Sequence, residues 1–202
     1  MPYGGVDGQL EPVNTLPYGM KMEPRLSSDD WVRVALEALS EGGIDDVRVE
    51  RLALRLGISK GSFYWHFRKR EDLLVRVIEA WEHRQTQTVI ERVDSAIAEP
   101  LERLELLTIL VGRLDVRLEE AMRRWAASDM RARQAVERID RARLAHIQSL
   151  IAAAGVPEMH ARVRARLVYY AFIGEVAFGL PVSPDERPLN SALIQKLILT
   201  WP

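Results

Sequence analysis

Apolar residues recur at three- and four-residue steps from about residue 28 onward, and no stretch of useful length alternates apolar and polar residues. The first spacing places apolar side chains on one face of an α-helix, whereas a half-buried strand requires alternation. Glycine and proline divide the chain into segments, because glycine is typical just after a helix and proline in its first turn. The pattern therefore predicts an all-α fold.

Four helices are predicted between residue 28 and a point beyond residue 89. Serine and aspartate are favoured N-caps, because their side chains accept hydrogen bonds from the N–H groups of the first turn. The first helix is therefore expected to begin at Ser28 or Asp29, and Ser59 is expected to cap the third. Gly57 can supply the turn before it, since glycine adopts a positive φ without strain. The expected ranges are 28–42, 49–56, 59–67 and 70 to beyond 89.

Further helices are predicted to begin at Pro100, to run from Asp129 to Ala154 and from Pro157 to Gly179, and to occupy Leu189 to Leu199. Residues 1–28 differ from this pattern, because they contain four prolines and four glycines and no apolar period. Such a composition is typical of a flexible arm.

The composition excludes several classes of protein. The chain has 202 residues, of which 48% are apolar, so it can build a core and is not predicted to be disordered. It has no cysteine, which excludes disulfides and cysteine-based zinc sites. The longest apolar run, Leu167 to Gly174, is far shorter than the roughly 18 residues of a membrane span. No charged-then-apolar signal segment is visible, so we expect a cytoplasmic protein without a membrane partner.

An enzyme is not expected. The sequence has no Gly-x-Ser-x-Gly elbow and no phosphate-binding glycine-rich loop. Its four histidines, at positions 66, 83, 146 and 160, are far apart and lack the spacing of a metal site. We therefore expect no catalytic residues, no metal and no cofactor.

Charge is unevenly distributed along a chain whose net charge is only −1. Between Arg48 and Arg70 there are seven basic residues and a single acid, Glu50, whereas acids predominate just upstream. Charge runs are often no more than solvated helix faces, but attraction to phosphate is a local effect and depends on such clusters. The segment is therefore a candidate surface for nucleic acid.

Residues 48–67 have the layout of a helix-turn-helix motif. A short helix ends at Gly57, a second begins at Ser59, and the small Ala53 allows the two helices to approach closely. Apolar residues are spaced to hold the pair against the first and fourth helices: Leu52, Leu56, Ile58, Phe63 and Phe67.

At these positions the sequence resembles the TetR family of transcriptional regulators, over about residues 29–82. The family's Leu-Ala-x-x-x-Gly-x-Ser turn matches Leu52 to Ser59, and its Gly-x-x-Tyr-x-His-Phe signature matches Gly61 to Phe67. The acid-acid-Leu-Leu that usually follows is present at Glu71 to Leu74. Two positions depart from the family pattern: Arg48 replaces the usual Thr or Ser cap, and Arg70 replaces the usual Lys.

The resemblance implies an N-terminal three-helix helix-turn-helix domain (29–82) followed by a helical ligand-binding and dimerisation domain (83–202). It also implies a homodimer on a double-stranded DNA operator, acting as a repressor that a small-molecule effector releases. A recognition helix lies in the major groove, where phosphate contacts position the protein and base contacts specify the sequence. The DNA-binding set is expected to be Arg48, Tyr64, His66, Lys69 and Arg70 at the backbone, Lys60, Ser62 and Trp65 at base edges, and Gly61 on the same surface. Packing is the alternative for Trp65, against the fourth helix, and for His66.

The C-terminal domain offers less specific candidates. Large residues that could line an effector pocket are Trp81, Met122, Trp125, His146, Tyr169 and Phe172, although aromatic residues at helical spacing are more often core. A stripe of small and apolar residues in the last two helices is expected to form the dimer interface: Ala161, Ala165, Val168, Ala171, Phe172, Leu193 and Leu197. The alternative function is a small-molecule binding protein whose DNA-binding motif has degenerated.

Overall fold

The computed structural model describes residues 26–96, 99–178, 193–194 and 196–200, and within these ranges the chain contains helices and turns but no β-strand. This confirms the predicted all-α fold. The helices are α1 (Ser28–Gly42), α2 (Val49–Leu56), α3 (Arg70–Glu82), α4 (Thr88–Asp94), α5 (Pro100–Val111), α6 (Val116–Ala126), α7 (Met130–Ala153) and α8 (Glu158–Phe178). Residues 193–194 and 196–200 are also helical. None of the described helices is both long and apolar enough to cross a bilayer.

Some of the expected segments lie outside the described residues. These are residues 1–25 of the predicted arm, the end of the penultimate helix at Gly179, and the beginning of the last helix near Leu189.

The first helix is capped one residue earlier than expected. Ser27, and neither Ser28 nor Asp29, is the N-cap, and its Oγ accepts a hydrogen bond from the N–H of Asp30 at 3.3 Å. The Asp30 carboxylate in turn accepts from the N–H of Ser27 at 2.9 Å. This reciprocal pair requires a three-residue spacing, which only Ser27 has relative to Asp30.

The turn after α2 follows the prediction, but the segment after it does not. Gly57 has φ 69° and ψ 27°, the left-handed conformation expected of it. Residues Lys60–Trp65 then form a 3₁₀ helix where a short α-helix was expected, and the Ser59 side chain makes no capping hydrogen bond. Glycine, serine and three consecutive aromatic residues are weak helix formers, so local propensity does not hold this segment in an α-helix and contacts with the rest of the chain decide its form.

The predicted long helix consists of three consecutive helical parts over residues 70–94, which together we call the rod. Between α3 and α4, residues His83–Gln87 form a π-helical turn, in which the hydrogen bonds are one residue longer than in an α-helix. The rod extends past Val89 to Asp94, as predicted. The separate helix α6, which begins at an Asp115 N-cap, was not predicted.

Two apolar cores divide the described chain. The first core joins the head, which we define as residues 28–82, to α6 and to the first part of α7 as far as Ile139. The second core is formed by α4, α5, the end of α7 and the beginning of α8. Helices α3 and α4 therefore belong to different cores, and the π-helical turn between them lies where the two cores meet. The division of the chain at residue 83 stays a prediction.

Candidate nucleic-acid interface

The aromatic side chain of Phe63 holds the 3₁₀ helix against the rest of the head. Phe63 is completely buried, and its ring packs edge-on against Trp31 of α1 and nearly parallel to Phe67, each at a centroid distance of 5.2 Å. Leu52 on α2 is also fully buried in this core. Because these contacts hold α2 and the turn from the inside, the remaining side chains of residues 60–66 are left on the outside.

The outward side chains are large and exposed. Trp65 is 85% exposed and Tyr64 57% exposed, and the neighbouring His66 is exposed as well. Packing against the following helix was the alternative for Trp65, and its exposure shows that this alternative is wrong. The His66 ring lies 6.5 Å from the ring of Phe67, centroid to centroid, so packing stays an alternative for His66. An exposed Trp beside an exposed Tyr is unusual on a protein surface without a partner.

Lys60 and Ser62, the predicted base-reading residues other than Trp65, lie on the same 3₁₀ helix. The Lys60 ammonium donates a hydrogen bond to the Glu50 carboxylate on α2. This bond raises the pKa of Lys60 and lowers the pKa of Glu50. Ser62 is half-buried, and its N–H donates to the carbonyl of Ser59 at 3.1 Å. Gly61 between them is exposed.

Two of the predicted phosphate-binding arginines make contacts inside the head. Arg70 is partly buried, and it donates hydrogen bonds to the carbonyls of Val47 at 2.6 Å and Ile44 at 3.0 Å. Arg48 provides no side-chain cap for α2 and donates to the carbonyl of Asp45 at 2.8 Å. Both side chains thus stabilise the loop between α1 and α2, and their contact with DNA stays a prediction.

The other basic residues of the segment divide into two groups. Arg55 pairs with Glu41 at 2.8 Å and Arg51 pairs with Asp46, so the upstream acids neutralise arginines of α2. Arg68 and Lys69 are exposed and form no ion pair with the part of the chain that the structure describes. Two of the cations of the head that lack an acidic partner, Arg68 and Lys69, therefore follow closely on Tyr64, Trp65 and His66 in the sequence.

The six candidate pocket residues lie in three parts of the described chain, and their role in a pocket stays a prediction. Trp81, Met122 and Trp125 are buried side chains of the first core. His146 lies on α7 and faces Asp94 of α4, with 3.7 Å between its Nδ1 and the carboxylate. Tyr169 and Phe172 lie together on α8, with ring centroids 6.3 Å apart.

The residues of the predicted dimer stripe differ in burial. Ala161 and Ala165 are buried in the second core, so they are not available to a partner. Val168 and Phe172 are half-buried, and Ala171, Leu193 and Leu197 are exposed. The larger residues Met159, Val163, Leu167 and Tyr170, at steps of four, four and three, form the exposed face of α8. Helical periodicity identified the stripe of small residues but did not show that its alanines face the interior of the protomer.

A group of charged residues between the two cores was missed by the sequence reasoning. We call Glu119, Arg123, Asp140, Arg143 and Tyr169 the polar layer. Arg123 donates to both oxygens of Asp140 at 3.2 and 2.7 Å and to Glu119 at 3.0 Å, and the Tyr169 hydroxyl donates to Asp140 at 2.6 Å. Burial by itself lowers the pKa of Arg123, but the hydrogen bond to Asp140 and the charge of Glu119 outweigh it and raise that pKa. The sequence did contain one indication of the polar layer. Arg143 follows the buried Ile139 by four positions, so it lies on the inward face of α7 although it is charged.

The comparisons with known proteins agree with this arrangement. Residues 32–77 match the model of bacterial regulatory proteins of the tetR family. The tetracycline repressor protein class A from transposon 1721 of Escherichia coli is 39% identical over 56 residues, which are 28% of this chain and 26% of the repressor. The chain thus aligns with only about a quarter of that relative's length.

Solved structures extend the likeness of the fold to most of the chain. A transcriptional regulator from Rhodococcus sp. RHA1 superposes with a TM-score of 0.70 at 17% identity, covering 86% of this chain and 96% of the other. The regulator FadR from Bacillus subtilis, solved in complex with stearoyl-CoA, superposes with a TM-score of 0.61 at 17% identity, covering 86% and 98%. The match to the tetR family of bacterial regulatory proteins thus lies within the head, at residues 32–77, and the solved structures show that the fold of most of the chain is that of such regulators.

Proposed function

We propose that this protein is a DNA-binding transcriptional regulator that occupies a two-fold operator as a homodimer and is released from it by a small molecule. The observation that carries the proposal is the surface of the 3₁₀ helix. Exposed aromatic side chains at positions 64 and 65 lie beside the unpaired cations Arg68 and Lys69, on a segment anchored from below by Phe63. Such a surface combines groups for phosphates with groups for base edges, which a DNA reader requires.

The roles of individual residues follow from their exposure. Tyr64, His66 and Lys69 contact phosphates, while Lys60, Ser62 and Trp65 reach base edges. Lys60 must leave Glu50 to do so, and this exchange is easy because an exposed ion pair contributes little free energy. A lysine can donate to guanine, and an aromatic ring can pack on a thymine methyl group. The tetracycline repressor, which is 39% identical to this chain over 56 residues, supports a repressor.

A second copy of the chain supplies the second head. One head covers too few base pairs for useful specificity, and heads on a two-fold operator lie roughly 34–36 Å apart. The exposed apolar face of α8 supports pairing through this helix, and Leu193 and Leu197 of the last helical segment are exposed as well. A contiguous apolar surface of this kind is characteristic of an interface.

The effector is proposed to bind among the helices of the second core. Two polar atoms there are buried without a hydrogen-bond partner in the described chain, Arg103 Nε on α5 and His146 Nε2 on α7. Buried polar atoms in proteins are nearly always satisfied, so each is a candidate contact for a ligand. FadR with its bound stearoyl-CoA shows that a protein of this fold accommodates a ligand.

Selection of bound fragments from genomic DNA tests the proposal. The protein is expected to enrich fragments that share a two-fold sequence, and a variant carrying Tyr64→Ala and Lys69→Ala is expected to enrich none. This control keeps the buried anchor Phe63, so it tests the surface and not the fold. If the unmodified protein enriched no common sequence, the proposed function would be wrong.

A further inference from the structure

The polar layer lies where the two cores meet. The first core, with Ile139 as its last member on α7, contains the head, and the second resumes on α7 at Leu150 and includes the beginning of α8. Apolar contacts are not directional, so the packing of two cores by itself leaves their mutual orientation weakly defined. Charged hydrogen bonds with fixed geometry define an orientation much more sharply.

Arg143 connects this layer to the π-helical turn below the head. It is held by both oxygens of Glu119, at 3.0 and 3.1 Å, and Glu119 is almost completely buried. Its Nε donates to Thr86 Oγ1 at 2.9 Å, and its Nη2, one of the two nitrogens bound to Glu119, also donates to the carbonyl of Gln85 at 3.2 Å. Thr86 and Gln85 are both buried, so the arginine fixes two neighbouring residues of the turn from the inside.

The same network continues to the helix that presents the dimer face. Glu119 also accepts from Arg123, and Arg123 donates to the Tyr169 hydroxyl of α8 at 3.1 Å. Tyr169 is buried on the inner side of α8, whereas the next residue, Tyr170, is 54% exposed on its outer side. An unbroken series of hydrogen bonds thus leads from α8 through α6 and α7 to the turn between α3 and α4.

We propose that Arg143 is a positioning residue for DNA binding, which locks the π-helical turn and so fixes the orientation of the head relative to α8. This inference rests on the proposed function, because orientation matters only where two joined heads bind one operator. Short π-helical turns are often found at functional sites, and here the turn is the place where the rod passes from one core to the other. When the turn is fixed, the two heads of the dimer already have the orientation that lets both bind their half-sites at once.

The test removes the hydroxyl group of Thr86, which lies on the π-helical turn. Thr86→Val keeps the shape of the side chain and removes the hydroxyl that accepts from Arg143, whereas Thr86→Ser retains the hydroxyl. Ile139→Val removes one methyl group from the buried face of α7, four residues before Arg143, and is the control for lost stability. Each full-length variant is titrated with the selected two-fold operator and with a duplex that carries one half-site, and amide exchange is followed over residues 83–89.

Thr86→Val is expected to increase the Kd for the full operator about tenfold, within the range of typical coupling between sites, and to leave the Kd for the half-site unchanged. Amide exchange should become faster at residues 83–89, and Thr86→Ser and Ile139→Val should behave like the unmodified protein. An unchanged Kd for the full operator, or an equal loss on both duplexes, would overturn the role of Arg143. Absence of binding by the unmodified protein would instead contradict the proposed function.

Discussion

Two glycines four positions apart in the head illustrate how differently one residue type is used. Gly57 has φ 69°, so a side chain there strains the backbone although the space around it is open. Gly61 has no such conformation, and an added Cβ would lie 3.6 Å from Ser59 Oγ, an ordinary contact. The first glycine is therefore required by the fold, whereas the second accepts a side chain without backbone strain.

Gly57→Ala is expected to lower the free energy of unfolding by about 1–2 kcal/mol, the cost of the left-handed conformation for a residue with a side chain. Gly61→Ala should leave stability unchanged or raise it by up to about 1 kcal/mol, because alanine has less conformational freedom to lose. Denaturant titration of both variants checks this. Gly61→Ala should nevertheless weaken DNA binding, since the added methyl group lies on the exposed surface of the 3₁₀ helix.

Alanine substitutions of Lys60 and Lys69 can be compared to distinguish base reading from phosphate contact, because both remove a lysine from the proposed DNA-binding surface. Lys60→Ala is expected to change which sequences are preferred, whereas Lys69→Ala should weaken binding to all sequences alike and reduce the salt slope by about 1 per head. Affinities for the selected operator and for single-base variants of it, measured at several salt concentrations, distinguish the two effects. An unchanged preference in Lys60→Ala would remove this residue from base readout.

At the scale of elements, caps and turn residues made the helices predictable. The range Val49–Leu56, the left-handed Gly57, the start at Pro100 and the start of a helix near Asp129 all follow from local chemistry, which short segments of sequence contain. The 3₁₀ helix and the π-helical turn were not predicted, because both depend on contacts with distant parts of the chain. Phe63 meets Trp31, and Arg143 meets Thr86.

The polar layer was missed for the same reason. Charged residues on a helix usually lie in water, and only the packing of α6, α7 and α8 reveals that Glu119 is buried between two arginines. Its position in the sequence resembles that of Glu120, which is half-buried and lies 3.7 Å from Arg124. These two neighbours provide a direct comparison.

Glu119→Gln is expected to destabilise the fold by about 3–5 kcal/mol, because it leaves two arginines partly uncompensated in a buried site. Glu120→Gln should change stability by no more than about 0.5 kcal/mol, as is usual for a surface substitution. Thermal or denaturant unfolding of the two variants provides the measurement. Equal effects would mean that the polar layer does not stabilise the fold.

At the scale of the whole molecule, the sequence predicted a dimer through α8 but selected a partly buried face. Alanines at positions 161 and 165 pack inside the protomer, and the exposed stripe consists of larger residues. A stripe of small residues indicates close packing, but it does not distinguish packing within one chain from packing between two.

Leu167→Arg is therefore expected to give a folded monomer, since Leu167 is 59% exposed at the middle of the α8 face. Ile109→Arg, a comparably exposed change on α5, is the control and should leave the assembly unchanged. Sedimentation measures the assembly, and operator titration should show a large loss of affinity for the first variant only. A Leu167→Arg dimer with full affinity would place the interface elsewhere.

The most direct test of the central claim, that the head reads DNA, is the salt dependence of binding to the selected operator. Each neutralised phosphate contributes about −0.9 to the slope of log K against log salt, and two heads with at least two unpaired cations each predict a slope of about −3.6 or steeper. The account predicts that slope together with a clear preference for the operator over a scrambled duplex of the same composition. A slope near zero, or equal affinity for the two duplexes, would contradict it.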